Sequence, residues 1–366
     1  MFYLDMATTL RGMARYTGTA VIALAATVLV AIPNSFAEQI TAAGTPDLNA
    51  PEEVGRDIGT PWGLAFLPDG AALVAQRNTG TIVRVAPGTK PQQVYRVPGV
   101  VASGEGGLLG VAVSPNYAED RYVYAYFTSS ADNRIVRFRL DGQSEVIFRG
   151  IAKASIHNGG RIAFGPDGML YAGTGDAGQK SRAQDPASPN GKILRLAPDG
   201  RPAPGNPTPN SPVYTLGHRN VQGLAWDQTG RMYATEFGQD RFDEVNLIEP
   251  KRNYGWPTVE GKGDTQNGRF TNPLVTWTTG EASPSGLAIT ANTLYVAALR
   301  GQRLWTVPQR SDGTLGTPVA QLRNQYGRLR TAAVAADGSL WVSTSNTDGR
   351  GTVRTGDDRI VRFPAR

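Results

Sequence analysis

The sequence predicts an all-β protein, a six-bladed β-propeller of four-stranded antiparallel blades, on three observations. One phrase recurs six times along the 366 residues: an apolar-Ala-apolar strand, a turn often written Pro-Asp-Gly, and a strand ending in small residues. Most copies are followed by a third strand of alternating apolar and polar residues, with Gly, Asp and Asn at the turns, which is the pattern of half-buried antiparallel pairing. The copies begin 45 to 63 residues apart, the spacing of units a few strands long; propeller blades typically hold four strands. A β-sandwich would not explain such regular repetition.

Taken in order, the first element is a leader. "TAVIALAATVLVAIPNSFAEQ" is an apolar run preceded by Arg11 and Arg15, with Ser35 and Ala37 in the small-x-small pattern of a cleavage site. Cutting after Ala37 starts the mature chain at Glu38 and makes residues 38 to 366 a single propeller domain, exported to the periplasm or secreted. The alternative is an uncleaved anchor, although the apolar run is shorter than the roughly 20 residues that span a bilayer. No later segment is long and apolar enough to cross a membrane, so the mature chain is expected to have no span.

The six copies then follow. They are "LAFLPDGAALVAQ" from Leu64, "VAVSPNYAEDRYVYAYF" from Val111, "IAFGPDGMLYAGT" from Ile162, "LAWDQTGRMYATE" from Leu224, "LAITANTLYVAAL" from Leu287 and "AAVAADGSLWVST" from Ala332. Their third strands read "GTIVRV", "NRIVRFRL", "GKILRLAP", "DEVNLI", "QRLWTVP" and "DRIVRF". The longest intervals follow the third and fourth copies, where "DAGQKSRAQDPASPNG", "APDGRPAPGNPTPNSPVYTLGHRN" and "IEPKRNYGWPTVEGKGDTQNGRF" lie between strands. These carry aromatic and charged residues in distinctive contexts, and are expected to be ordered loops over one face.

Composition narrows the function. With no cysteine, a disulfide, a thiolate metal site and a cysteine nucleophile are all excluded, and stability must come from a core that about 330 residues can supply. The formal charge is +6, without a Lys/Arg block, so no nucleic-acid partner is expected. A small anionic ligand is compatible with it.

Histidine occurs twice. His157 stands just upstream of the third copy, in "SIHNGGRIAF", where the chain emerges at a blade edge; its ordinary pKa suits it to act as a base near neutrality. "GHRNVQGLAWD" sets Arg219 and Asn220 in the same relation to the fourth copy that His157 and Asn158 have to the third, so both pairs converge on one end of a central channel. "TEFGQDRFDEVNLIEPKRNYGWP" offers Glu236, Asp240, Asp243, Glu244 and Tyr254, and carboxylates interleaved with loop carbonyls suit an oxygen-seeking ion such as calcium. Arg300 follows in "AALRGQRLW". Arg328 and Arg330, two apart in "QYGRLRTAAV", share one face of a strand, and paired guanidiniums favour a carboxylate or phosphate ligand.

From Gly59 to Arg362 the motifs "GEGGLLGVAVSP", "HNGGRIAFGPDGMLYAGTGD", "AQDPASPNGKILRLAPDG", "GHRNVQGLAWD", "DEVNLIEPKRNYGWP", "SPSGLAI" and "GRLR" resemble those of the soluble PQQ-dependent sugar dehydrogenases, the six-bladed glucose and aldose dehydrogenases. The resemblance implies two cofactors, PQQ and Ca2+, and oxidation of an aldose at its anomeric hydroxyl to a lactone. It makes His157 the base, and Glu105, Arg219, Asn220, Arg300, Arg328 and Arg330 contacts of the quinone, with Trp277 as an aromatic platform. It implies calcium ligation by the backbone carbonyls of Gly238 and Gln239, and a further calcium at Asp243, Glu244 and the Tyr254 carbonyl, with Phe237 as another backbone ligand. The chain departs from the family pattern at Ile156, Gln239, Arg300 and Thr331. It has no Cys-x-x-Cys-His haem motif, so electrons are expected to pass to an external acceptor. Two other functions share the fold: a non-catalytic propeller that binds carbohydrate or protein, and a metal-dependent lactonase.

Overall fold

The computed structural model describes residues 44 to 366; the leader expected over residues 1 to 37 lies outside them. Each of the six phrases forms the first two strands of an antiparallel four-stranded sheet. The first blade is β2 (Pro61–Phe66), β3 (Ala72–Gln76), β4 (Thr81–Val85) and β5 (Gln92–Arg96). The second is β6 (Leu108–Val113), β7 (Val123–Thr128), β8 (Asn133–Phe138) and β9 (Glu145–Ile151). The third is β10 (Ile162–Phe164), β11 (Leu170–Gly173), β12 (Lys192–Leu196) and β13 (Val213–Leu216), and the fourth β14 (Val221–Trp226), β15 (Met232–Glu236), β16 (Phe242–Ile248) and β17 (Val275–Thr278). The fifth is β18 (Pro284–Thr290), β19 (Thr293–Ala298), β20 (Arg303–Pro308) and β21 (Val319–Gln321).

The last blade is closed from the other end of the chain. To β22 (Leu329–Val334), β23 (Leu340–Thr344) and β24 (Ile360–Phe363) it adds β1 (Glu52–Gly55), with Glu52 opposite Arg362 and Gly55 opposite Ile360. This joint leaves no separate free edge at either terminus, which answers the unpaired-strand problem of an open sheet.

The first strands are innermost and neighbour one another in the order β2, β6, β10, β14, β18, β22 and back to β2. Between successive blades lies a dry apolar layer: Tyr124, Tyr126 and Ile135 of the second blade meet Ile162, Leu170 and Leu194 of the third, and five comparable layers fill the remaining interfaces. Packing along the axis is tight enough to require glycine. A Cβ on Gly110 of β6 would stand 2.2 Å from the carbonyl oxygen of Gly160 in the next blade.

The long insertions do not all cover one face. Residues 197 to 212 join β12 to β13 at the end where β11 begins, opposite the end that carries His157, because Leu196 pairs with Leu170. The other two do reach the His157 end. Under the first, the fully buried Lys192 at the start of β12 donates through Nζ to the loop carbonyls of Arg182, Ala183 and Asn190 at 2.8, 3.1 and 2.8 Å, so a buried lysine ties the loop together. The third sends Trp256 Nε1 to Asp176 at 2.9 Å. Among the described residues no helix is long and apolar enough to cross a membrane.

Candidate active site

One end of the channel opens into a cavity of about 380 Å³. Its wall comes from segments that precede first strands or follow second strands, which all emerge at this end: Glu105 before β6, Phe237 after β15, Arg300 after β19, and Arg328, Arg330 and Asp348 around β22 and β23. Arg77, Arg300, Arg328, Arg330 and Arg350 face it against Glu105 and Asp348, leaving an excess of three positive charges. Arg328 Nη2 and Arg330 Nη2 lie 2.9 and 3.6 Å from Asp348 Oδ2, and Arg350 lies 3.0 Å from Glu105. Burial pushes the Asp348 carboxyl up, but the charges of Arg330 and Arg328 outweigh it and hold the group below its ordinary range. Arg330 has the opposite problem: burial lowers its pKa to about 9, and its Nε finds no partner.

Beside this cavity is a buried carboxylate-imidazole pair. His157 Nδ1 stands 2.7 Å from Asp176 Oδ1, with the two side chains 10% and 1% exposed. Gly178 N–H donates to the same oxygen at 2.8 Å, and Trp256 Nε1 donates to Oδ2 at 2.9 Å. Burial raises the Asp176 pKa, yet the hydrogen bond and charge of His157, with the Trp256 and Gly178 donors, bring it below the ordinary value. An ionised acceptor at Nδ1 assigns the proton of the neutral imidazole to that nitrogen, so the lone pair of the neutral form lies on Nε2. The His157 backbone is held at φ 55, sparsely populated by residues other than glycine, and its N–H donates to Glu105 Oε2 at 2.9 Å. A Cβ on Gly175, in the turn that carries Asp176, would fall 2.0 Å from the His157 carbonyl oxygen; glycine there lets the two segments touch. His157 is not itself among the residues lining the cavity; it joins the wall through Glu105.

The Arg-Asn pair of the next blade meets the His-Asn pair as its spacing implies. Asn220 Oδ1 accepts from Gly159 N–H at 2.9 Å, while its buried Nδ2 has no partner. Arg219 donates from Nη1 to the Phe237 carbonyl at 3.1 Å and from Nε to Gln239 Oε1 at 3.2 Å, tying the 237 to 239 turn to the site.

Next to that turn lie buried acids. Asp243 accepts from Gly238 N–H and Ser283 N–H, and Glu244 from Gly261 N–H and Asn246 Nδ2. Burial pushes Asp243 up to about 6; burial, with the nearby Glu236, pushes Glu244 up as well. Asn246 Oδ1 is buried without a partner. Tyr254 is buried, its hydroxyl donating to the Leu247 carbonyl at 2.6 Å. Glu260, which the sequence reading passed over, accepts four successive backbone N–H groups, from Gln239 to Phe242, at 2.7 to 3.2 Å.

One further sequence expectation is corrected, and two residues to which the sequence assigned no role acquire one. Trp277 is not brought to the cavity: it sits on the outermost strand β17, packed against Trp305 at 5.4 Å between the fourth and fifth blades. The aromatic surface in the cavity is Trp62, which directly precedes the glycine of the first inner strand. Asp176 was visible as the last residue of "GTGD" but carried no recognisable role until its contact with His157 was seen. The second histidine, His218, is a packing element. It is fully buried between Thr215 Oγ1 and Glu236 Oε2 and stacks on Tyr254; burial lowers its pKa and raises that of Glu236.

An arginine-lined cavity at one end of the channel, with a carboxylate-oriented imidazole beside it, is suited to a polyanionic ligand next to a proton acceptor. Comparison with known proteins gives the particular family. Residues 58–354 match the model of the glucose / sorbosone dehydrogenases, and the chain belongs to that family. The solved PQQ-bound aldose sugar dehydrogenase of Streptomyces coelicolor is 52% identical, with a TM-score of 0.84 over 88% of this chain and 100% of that one. Aldose sugar dehydrogenase YliI of Escherichia coli is 28% identical over 79% of this chain and 88% of its own length. Quinoprotein glucose dehydrogenase B of Acinetobacter calcoaceticus is 32% identical over 59% and 54%.

Proposed function

We propose that the protein is a PQQ-dependent aldose sugar dehydrogenase that uses calcium, acts after export and oxidises the anomeric hydroxyl of an aldose to a lactone. The observation that carries the reading is the match of charge: PQQ is a tricarboxylate, and the cavity presents a net of three positive charges. Of the two orphaned buried donors, Arg330 Nε belongs to a residue that lines the cavity and Asn220 Nδ2 does not; a buried donor left unpaired is costly, which favours an acceptor-rich ligand at Arg330.

The chain's own part in the reaction follows from this arrangement. Arg300, Arg328 and Arg330 bind carboxylates, with Asp348 holding the last two in register. Trp62 offers a flat apolar face. Asp176 keeps the His157 proton on Nδ1, and His157 Nε2 accepts the proton of the sugar's anomeric hydroxyl as its C–H hydride leaves. When bound, the quinone supplies the two-electron acceptor and calcium a Lewis acid beside it. The carbonyls of Gly238 and Gln239 would hold that ion, in a turn anchored by Glu260 and Arg219. Asp243, Glu244, Tyr254 and Phe237 are the candidates for a further one, where the partnerless Asn246 Oδ1 and two buried carboxylates fit a cation better than its absence. Electrons then leave to an external acceptor. Dye reduction by the purified cofactor-free chain with a panel of aldoses tests the reading: activity that requires both PQQ and calcium supports it, and no activity together with no PQQ binding refutes it.

A further inference from the structure

Around the channel, five of the innermost strands and the residue just before β10 form one ring: Gly63, Gly110, Arg161, Gly223, Gly286 and Thr331. Contacts between neighbours set this ring. A Cβ on Gly63 would lie 2.6 Å from the Leu109 carbonyl oxygen, one on Gly223 2.4 Å from that of Ser285, and one on Gly286 2.6 Å from the Thr331 Cα, while Thr331 Oγ1 reaches the Trp62 carbonyl at 2.5 Å. Only Arg161 and Thr331 carry polar side chains. They stand three blades apart, hence across the axis, and Arg161 Nη2 donates to Thr331 Oγ1 at 3.2 Å.

Arg161 is 8% exposed. Its Nε donates to the Gln222 carbonyl at 2.7 Å, and the guanidinium lies 4.5 Å from the centre of the Trp62 ring. Its partners are a carbonyl, a hydroxyl and an aromatic face; among the described residues no carboxylate pairs with it, and burial alone lowers its pKa. Trp62 lines the arginine-rich cavity and Arg161 does not. Arg161 lines a second cavity of about 230 Å³ on the other side, whose walls include Leu64, Ile162, Leu224, Leu287 and Thr331.

We propose that this lower cavity binds a small monovalent inorganic anion, chloride in ordinary salt, against Arg161. A guanidinium taken out of water without a fixed counter-charge is unfavourable, and the apolar walls select the anion that gives up its hydration most easily. The site stands apart from the cofactor cavity, with Trp62 between them, and does not depend on the reaction assigned above.

The test is thermal unfolding of the purified chain at constant ionic strength, with chloride or bromide replacing glutamate. The midpoint should rise saturably, by about 2–4 °C at ten times the half-saturating concentration, with bromide at least as effective as chloride, and Arg161→Gln should remove the response. Crystals of the unaltered protein in sodium bromide should show an anomalous peak within hydrogen-bonding distance of Arg161, a readout that does not depend on how the variant folds. A midpoint indifferent to halide, an equal response in Arg161→Gln, or bromide peaks only elsewhere would overturn the proposal.

Discussion

Replacing Asp176 by Asn removes one acceptor from a carboxylate whose three close partners are all donors. His157 Nδ1 and Gly178 N–H share Oδ1 at 2.7 and 2.8 Å, and Trp256 Nε1 takes Oδ2 at 2.9 Å. With the amide oxygen kept toward His157, the new NH2 faces the indole N–H, donor against donor in a buried site, at a cost of about 1–3 kcal/mol. With the amide flipped, its NH2 points at His157 Nδ1. The imidazole must then carry its proton on Nε2, and the lone pair assigned to the sugar's proton is gone. General-base catalysis contributes about 10²–10⁴-fold, so Asp176→Asn should lower kcat by at least about 10²-fold on the second branch. Stability should fall by about the stated amount on either branch, because the flipped NH2 confronts the Gly178 N–H, so the loss of kcat is what separates them. Steady-state dye reduction with a saturating aldose and urea unfolding, run on the same preparation, distinguish the branches. A variant with kcat within threefold of the parent and an unchanged unfolding midpoint would refute the reasoning.

Other consequences follow from the same contacts. Arg330→Gln should weaken PQQ binding by about 10–150-fold, the loss of a charge-assisted hydrogen bond of about 1.5–3 kcal/mol, as measured by calorimetry. Asp243 has a folded pKa raised above its unfolded value, so its contribution to stability is present below about pH 4 and is lost as pH rises through about 6. The raised Glu236 and Glu244 extend that loss to higher pH, and thermal melts of calcium-free protein should show the decline while added calcium suppresses it. Lys192→Met should cost about 1–3 kcal/mol in urea unfolding, because three loop carbonyls lose their shared donor. Gly110→Ala should be more damaging still: the added methyl meets backbone rather than a yielding side chain, and soluble yield and melting temperature will report it.

Much of the architecture was legible because blades repeat, and repetition shows in a single sequence. All six phrases became the first two strands of a blade, and all six third strands stand where the alternating runs put them. Fourth strands were invisible individually: β5, β9 and β21 are exposed or half-buried along nearly their whole length, so no alternation of buried and exposed positions marks them. The closing of the last blade by β1 was equally hidden, since a four-residue strand pairs with a segment some 300 residues away. At the site, Glu105, Phe237, Arg300, Arg328 and Arg330 stood in quotable motifs, whereas Trp62, Arg77 and Arg350, which face the same cavity, stood in none. Residues that act on other residues showed no role even where a motif included them: Asp176, Glu260 and Asp348 are ordinary turn acids until their partners are known. Trp277 and Trp62 show the limit best, because either tryptophan could have been the platform and only the position of its strand within the blade decides.

The most direct measurement compares His157→Ala with the parent protein for both PQQ binding and turnover. Because His157 contacts the cavity only through Glu105 and its backbone, the account predicts PQQ affinity within a few-fold of the parent and kcat lowered by at least about 10²-fold. Parental kcat at saturating PQQ and calcium would contradict it, and would remove His157 Nε2 from the proton's path.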